Sequence, residues 1–134
     1  MSQTALSLAR NWLDTPFVEG ASRIGVGADC AGLIEGIVRE LGLAFPARDS
    51  VAHDILAAAS AVFLPSQTIH HGCLVLLSRD PNGPPLHAGI VTDTATIVHA
   101  HWSAGVVENR FGKWFQRRVT HIFAWPKPHI LQDI

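Results

Sequence analysis

Cysteine is scarce in this sequence, with two among 134 residues. Two thiols are too few to staple a small secreted fold, so a reducing compartment is expected. Charge is also sparse. Asp, Glu, Lys and Arg make up 16% of the chain, and the net charge is −1 with histidine neutral. No basic run occurs, so there is no electrostatic footprint for nucleic acid. No apolar stretch approaches the ~18 to 20 residues that span a bilayer. The opening MSQTALSLARNWLD lacks both a basic segment and a long apolar one. It predicts no signal peptide and synthesis in the cytoplasm. No repeat or low-complexity linker divides the chain. The length and the 48% of hydrophobic residues predict one globular domain, 1–134. Its core is expected over about 5–125, with 126–134 as a tail that is a loose terminus or a docking segment.

What is present changes character part-way along. The first 65 residues read mainly helical and the rest mainly strand, an α+β order. Leu6, Ala9, Trp12 and Leu13 recur at helical spacing and stop before Thr15-Pro16. Residues 18–28 carry Gly20, Gly25 and Gly27 and read as an irregular loop. A second helix fits Cys30 to about Leu41, with Leu33, Ile34, Ile37, Val38 and Leu41 on its apolar stripe and Gly42 as the stop. A third starts near Ser50, its expected N-cap, and runs through Ile55, Leu56 and Ala59. The runs CLVLL (73–77), LHAGIV (86–91), TIVHAHW (96–102), GVVENR (105–110) and VTHIFAW (119–125) read as strands of an antiparallel meander.

Chemistry concentrates first at Asp29-Cys30. Asp29 is placed to cap the second helix, which puts Cys30 in its first turn. Unpaired backbone N–H groups and the macrodipole favour an anion there. A thiolate is the nucleophilic form of cysteine, and a helix N-terminus favours it. The alternative is a small buried core residue, as most free cysteines are. Cys73, inside CLVLL, reads as such a core residue. A cysteine nucleophile needs a base and the base an orienting group. His87 opens one strand beside small Ala88 and Gly89, and His99 lies on the next. Mirroring about Asp93-Thr94 puts position 99 opposite about 88, so the two imidazoles are expected side by side. His101 shares a face with His99. The pair could instead be half of a metal site, with His70, His71 and Cys73 as further ligands, although the spacing matches no common zinc pattern. His53, His121 and His129 read as ordinary helix, strand or tail residues.

Asp29-Cys30-Ala31-Gly32-Leu33, His87-Ala88-Gly89-Ile90, Val98-His99-Ala100 and Ser103-Ala104-Gly105-Val106-Val107 occur in this order. Together with Thr15 to Gly27 they resemble the NlpC/P60 family of papain-like cysteine peptidases. The likeness is greatest to the stand-alone forms encoded in phage tail regions and gene transfer agents. The resemblance implies N-terminal helices packed on a C-terminal antiparallel sheet of about five strands, with the nucleophile at a helix N-terminus. It implies Cys30 as nucleophile, His87 as general base and His99 as orienting residue, with no cofactor and no metal. The substrate would be a peptidoglycan stem peptide, cut between D-γ-glutamate and a diamino acid. Asp29 and the position of Phe17 would contact it. Phage tail or gene-transfer-agent proteins would be the partners, and the virion or the cell wall the destination. Three positions depart from the family pattern: Phe17 replaces a tyrosine, Ala31 a serine, and Gly72-Cys73 a Gly-Asp pair. Two other readings stand beside this one. One is a tail-assembly component with a vestigial site. The other is an amidase or acyltransferase using the same triad on another substrate.

Overall fold

The computed structural model describes residues 4–46, 54–93 and 95–126. The expected cap at Ser50, the readings of His53 and His129, and the tail beyond Pro126 lie outside them.

Helix α1 covers Ala5–Asn11. It opens with a capping box in which Thr4 and Ser7 exchange side-chain and backbone hydrogen bonds. Helix α2 is Cys30–Glu40. Leu33, Ile34, Ile37 and Val38 form its buried stripe, and Gly42 follows its C-cap at φ +77°. The two helices lock through Trp12. Its ring lies over Gly36, and its Nε1–H donates to Glu40 Oε1 at 2.8 Å. Helix α3 is Ile55–Val62, capped by Asp54. The segment before α2 is more ordered than the irregular loop expected from its glycines. Strands β1 (Ser22–Arg23) and β2 (Gly27–Ala28) pair there as a small antiparallel ribbon.

The main sheet is antiparallel. Its strands are β3 (Leu64–Ser66), β4 (Leu74–Ser78), β5 (Pro85–Val91), β6 (Thr96–His101), β7 (Gly105–Arg110) and β8 (Val119–Ala124). A one-turn helix α4, Lys113–Gln116, precedes β8. The order across the sheet is β3-β8-β4-β5-β6-β7. The α+β class and the antiparallel sheet agree with expectation, but the sheet has six strands rather than about five. It is also not a simple meander. Strands β4 to β7 follow one another, while β8 returns to the far side of β4. Strand β4 is consequently covered on both faces and both edges, which suits its unbroken apolar run.

One face of the sheet carries Leu74, Leu76, Ala88, Ile90, Val98, Ala100, Val106 and Phe123 against the helices. The other carries a smaller cluster of Cys73, Val75, Leu77, Val91, Ile97 and Phe111, closed by Phe115, Val119 and Ile122. Cys73 is fully buried there, as a core residue should be. Arg10 of α1 reaches β7 through a two-pronged bond to Glu108, which also accepts from Thr96 Oγ1. The helical layer is thereby fixed along the sheet.

Candidate active site

The start of α2 is built by the loop that precedes it. Ala28 N–H donates to the Pro16 carbonyl and Val18 N–H to the Ala28 carbonyl, so residues 16–18 lie alongside β2. Asp29 is the N-cap. Its Oδ1 accepts from Gly32 N–H and its Oδ2 from Gly20 N–H, both at 2.7 Å. The carboxylate is therefore engaged with backbone N–H groups of the helix and the loop. Cys30 is the first helical residue and is half-buried. Its Sγ lies 3.9 Å from the carbonyl oxygen of Leu86, the residue before His87.

His87 and His99 meet across β5 and β6. Their register is set by Ile90↔Val98 and Val91↔Ile97. Continued along the strands, it places position 99 opposite 89, one residue from the expected 88. The difference matters because side chains alternate. Opposite 88, the two histidines would point to different faces; opposite 89, they share one as diagonal neighbours. The turn is looser than expected, with Thr92 N–H donating to the Thr96 carbonyl at 2.8 Å. The result is a 2.8 Å contact between His87 Nε2 and His99 Nδ1, with the rings edge to face. His99 Nε2 in turn lies 2.7 Å from Asn109 Oδ1. Asn109 pairs with Ile97 in the β6–β7 register, so it stands diagonal to His99 on that same face. Phe115 packs edge-on against the His99 ring.

Burial governs the charge of both rings. Burial first, and then the neighbouring His99 and His101, push His87 down to about 3. Burial also lowers His99, against the Asn109 hydrogen bond, which raises it. Both imidazoles are thus neutral near pH 7, and a neutral imidazole can accept a proton.

Cys30, His87, His99 and Asn109 line one cleft of about 800 Å³. Phe17 forms part of its wall, as do the exposed Trp102 and Trp114. Arg118 stacks its guanidinium over Trp114, 4.0 Å from the ring centroid. A second cleft, of about 810 Å³, holds His70, His71 and Asp93 but no cysteine. Among the described residues no three His, Cys, Asp or Glu side chains gather as a metal site. His101 is directed to the turn after β6, where its Nδ1 accepts from Ser103 N–H.

A thiol at a helix start, a histidine on a neighbouring strand and a polar partner behind it form one constellation on this architecture. No family model and no curated protein matches the sequence. Its fold does match solved structures. An NlpC/P60 family protein from Bacillus cereus superposes with a TM-score of 0.73 at 17% identity, over 93% of this chain and 41% of that one. The chain has the NlpC/P60 fold. A lipoprotein-like NLP/P60 family protein from Staphylococcus aureus gives a TM-score of 0.66 at 17% identity, over 92% and 40%. The NlpC/P60 domain of the peptidoglycan hydrolase SagA gives 0.61 at 19% identity, over 90% of this chain and 96% of that domain. The chain thus spans about two fifths of the first two proteins and nearly all of the isolated domain.

Within this NlpC/P60 fold, Cys30, His87, His99 and Phe17 all reach the cleft, while Asp29 sits behind it as the cap. Asn109 is the polar residue that the sequence reading passed over. The signal was present in the alternation of GVVENR, where Val107 and Asn109 share a face. It needed the β6–β7 register, which pairs His99 with Val107.

Proposed function

We propose that this protein is a cysteine peptidase that hydrolyses peptidoglycan stem peptides, at the bond between D-γ-glutamate and a diamino acid. The observation that carries the proposal is the 2.8 Å His87–His99 contact inside the cleft that also holds Cys30. With Nε2 of His87 engaged by His99, Nδ1 is the ring nitrogen left to receive the thiol proton. The Cys30 thiolate then attacks the amide carbonyl. Backbone donors in the first turn of α2 stabilise the oxyanion, where the helix dipole also favours negative charge. The tetrahedral intermediate collapses to a thioester, and the amine leaves with the proton held by His87. Water, deprotonated by His87, attacks the thioester carbonyl and releases the acid with the thiol restored.

The NlpC/P60 fold, which SagA uses in a peptidoglycan hydrolase, supports the choice of substrate class. In this reading Phe17 borders the substrate in place of a tyrosine. Asp29 acts mainly by holding the helix start in position, since both of its oxygens accept backbone N–H groups. The test is turnover of a γ-D-glutamyl-diaminopimelate peptide, followed by release of the new amine. Activity should vanish in Cys30→Ala and fall at least about 10³-fold in His87→Ala, as in comparable triads. Undiminished turnover by Cys30→Ala would overturn the mechanism. A wild-type protein inert on stem peptides but active on another amide would overturn the substrate.

A further inference from the structure

We infer that Asn109 is a positioning residue, which selects the tautomers of both imidazoles so that His87 presents a bare Nδ1 to the thiol. The inference rests on the peptidase reading above and extends it by one residue. A neutral imidazole carries one N–H and one lone-pair nitrogen, and a hydrogen bond at one nitrogen decides the state of the other. The Asn109 carbonyl oxygen accepts only, so it requires His99 to carry its proton on Nε2. His99 Nδ1 is then a lone-pair acceptor and can hold His87 Nε2 only if His87 is protonated there. That leaves His87 Nδ1 without a proton and able to take one from Cys30.

Reversing the Asn109 amide reverses every step. The NH2 group would donate to His99 Nε2, His99 would donate from Nδ1, and His87 would carry its proton on Nδ1. A base in that form cannot deprotonate the thiol. A single carbonyl group two residues up the neighbouring strand therefore decides whether the histidine pair is a base. Phe115, edge-on against His99, limits rotation of that ring and keeps the relay aligned. Asn109 is itself exposed, but His99 is buried, so Asn109→Leu leaves the His99 Nε2–H without its acceptor while Asn109→Asp supplies another.

The experiment compares wild type, Asn109→Leu and Asn109→Asp, with ring nitrogen NMR of isotopically labelled histidine beside the peptide assay. Wild type should show His99 protonated at Nε2 and His87 at Nε2. Asn109→Leu should lose about 10- to 100-fold in kcat with little change in KM, the range expected for a residue acting through another. Asn109→Asp keeps an acceptor at the same place and should recover most of the loss. Asn109→Leu should melt a few degrees below wild type because the buried His99 N–H loses its acceptor, and Asn109→Asp should melt close to wild type, so kcat is compared at a temperature where all three are folded. Protonation of wild-type His99 at Nδ1, or unchanged kcat in Asn109→Leu, would overturn the inference. The NMR arm needs no substrate. If the protein cleaves no stem peptide, the tautomers still decide this inference while the peptidase reading falls.

Discussion

Gly32→Ala tests how the helix start is held. In an unobstructed helix this exchange stabilises by about 0.8–1 kcal/mol. Here the new Cβ would stand 1.8 Å from the Ala21 carbonyl oxygen and 2.9 Å from Asp29 Oδ1. Real Cβ atoms essentially never come under 3.0 Å, so loop and helix must part by at least about 1.2 Å. The obstacle is backbone and cannot turn aside as a flexible side chain would. The Ala21 carbonyl also accepts from Asp29 N–H at 3.3 Å, and Ser22 Oγ donates to the Gly32 carbonyl at 2.6 Å. Moving the loop strains both ties. Overpacking of this kind costs about 1–3 kcal/mol, and a lost backbone hydrogen bond about 1 kcal/mol more. After the propensity gain, a net loss of about 1–3 kcal/mol remains. For a chain of this size that lowers Tm by about 4–12 °C. Because the displaced turn carries Cys30, iodoacetamide alkylation and peptide turnover should change with it. Calorimetry and alkylation kinetics on the purified variant check both. A rise in Tm of a few degrees with unchanged thiol reactivity would refute the account of this loop–helix contact.

Acid should destabilise the protein earlier than its carboxylates alone require. His87 binds its proton at about 3 when folded and near 6.5 when unfolded. The unfolded state therefore takes up more protons as pH falls below about 6.5, and stability present above that pH drains toward pH 3. Unfolding free energies from urea titrations across this range should fall by up to about 1.4 kcal/mol per pH unit for this one group, less in His87→Gln. Asp29→Ala removes the acceptor for two backbone N–H groups and should cost about 1–2 kcal/mol in thermal melts. Asp29→Asn, which keeps one acceptor oxygen, should cost less. Trp12→Phe retains most of the buried ring but loses the bond to Glu40, a loss of about 1 kcal/mol in chemical denaturation. Trp12→Ala should cost about 3–5 kcal/mol.

Features with a local physical cause were legible in the sequence. The stripe Leu33, Ile34, Ile37, Val38 and the Asp29 cap placed α2 and the thiol at its start. Alternation located β5, β6 and β7. Features decided by distant partners were not legible. Strands β1 and β3 are too short to carry a period and exist because Ala28 and β8 pair with them. The return of β8 to β4 has no local signature either. The β5–β6 register was missed by one residue because the turn is wider than a two-residue hairpin. Asn109 was missed for the related reason that its relation to His99 appears only once two strands are aligned.

The placement of β8 has a further consequence for how the chain reaches its native state. Strands β4 to β7 can zip together through short loops as they emerge, and β5, β6 and β7 with α2 carry every residue of the proposed relay. The open edge of β4 must wait for a partner more distant in sequence, since Leu76 pairs with His121. Such non-local closure is slow. Until it happens, one of the most apolar strands in the molecule presents unpaired backbone to other chains. The residues of the proposed relay are thus assembled by early, local events, while protection from aggregation arrives with the last strand. A chain cut before Val119 should be more prone to associate with its own copies than one merely altered at Cys30 or His87.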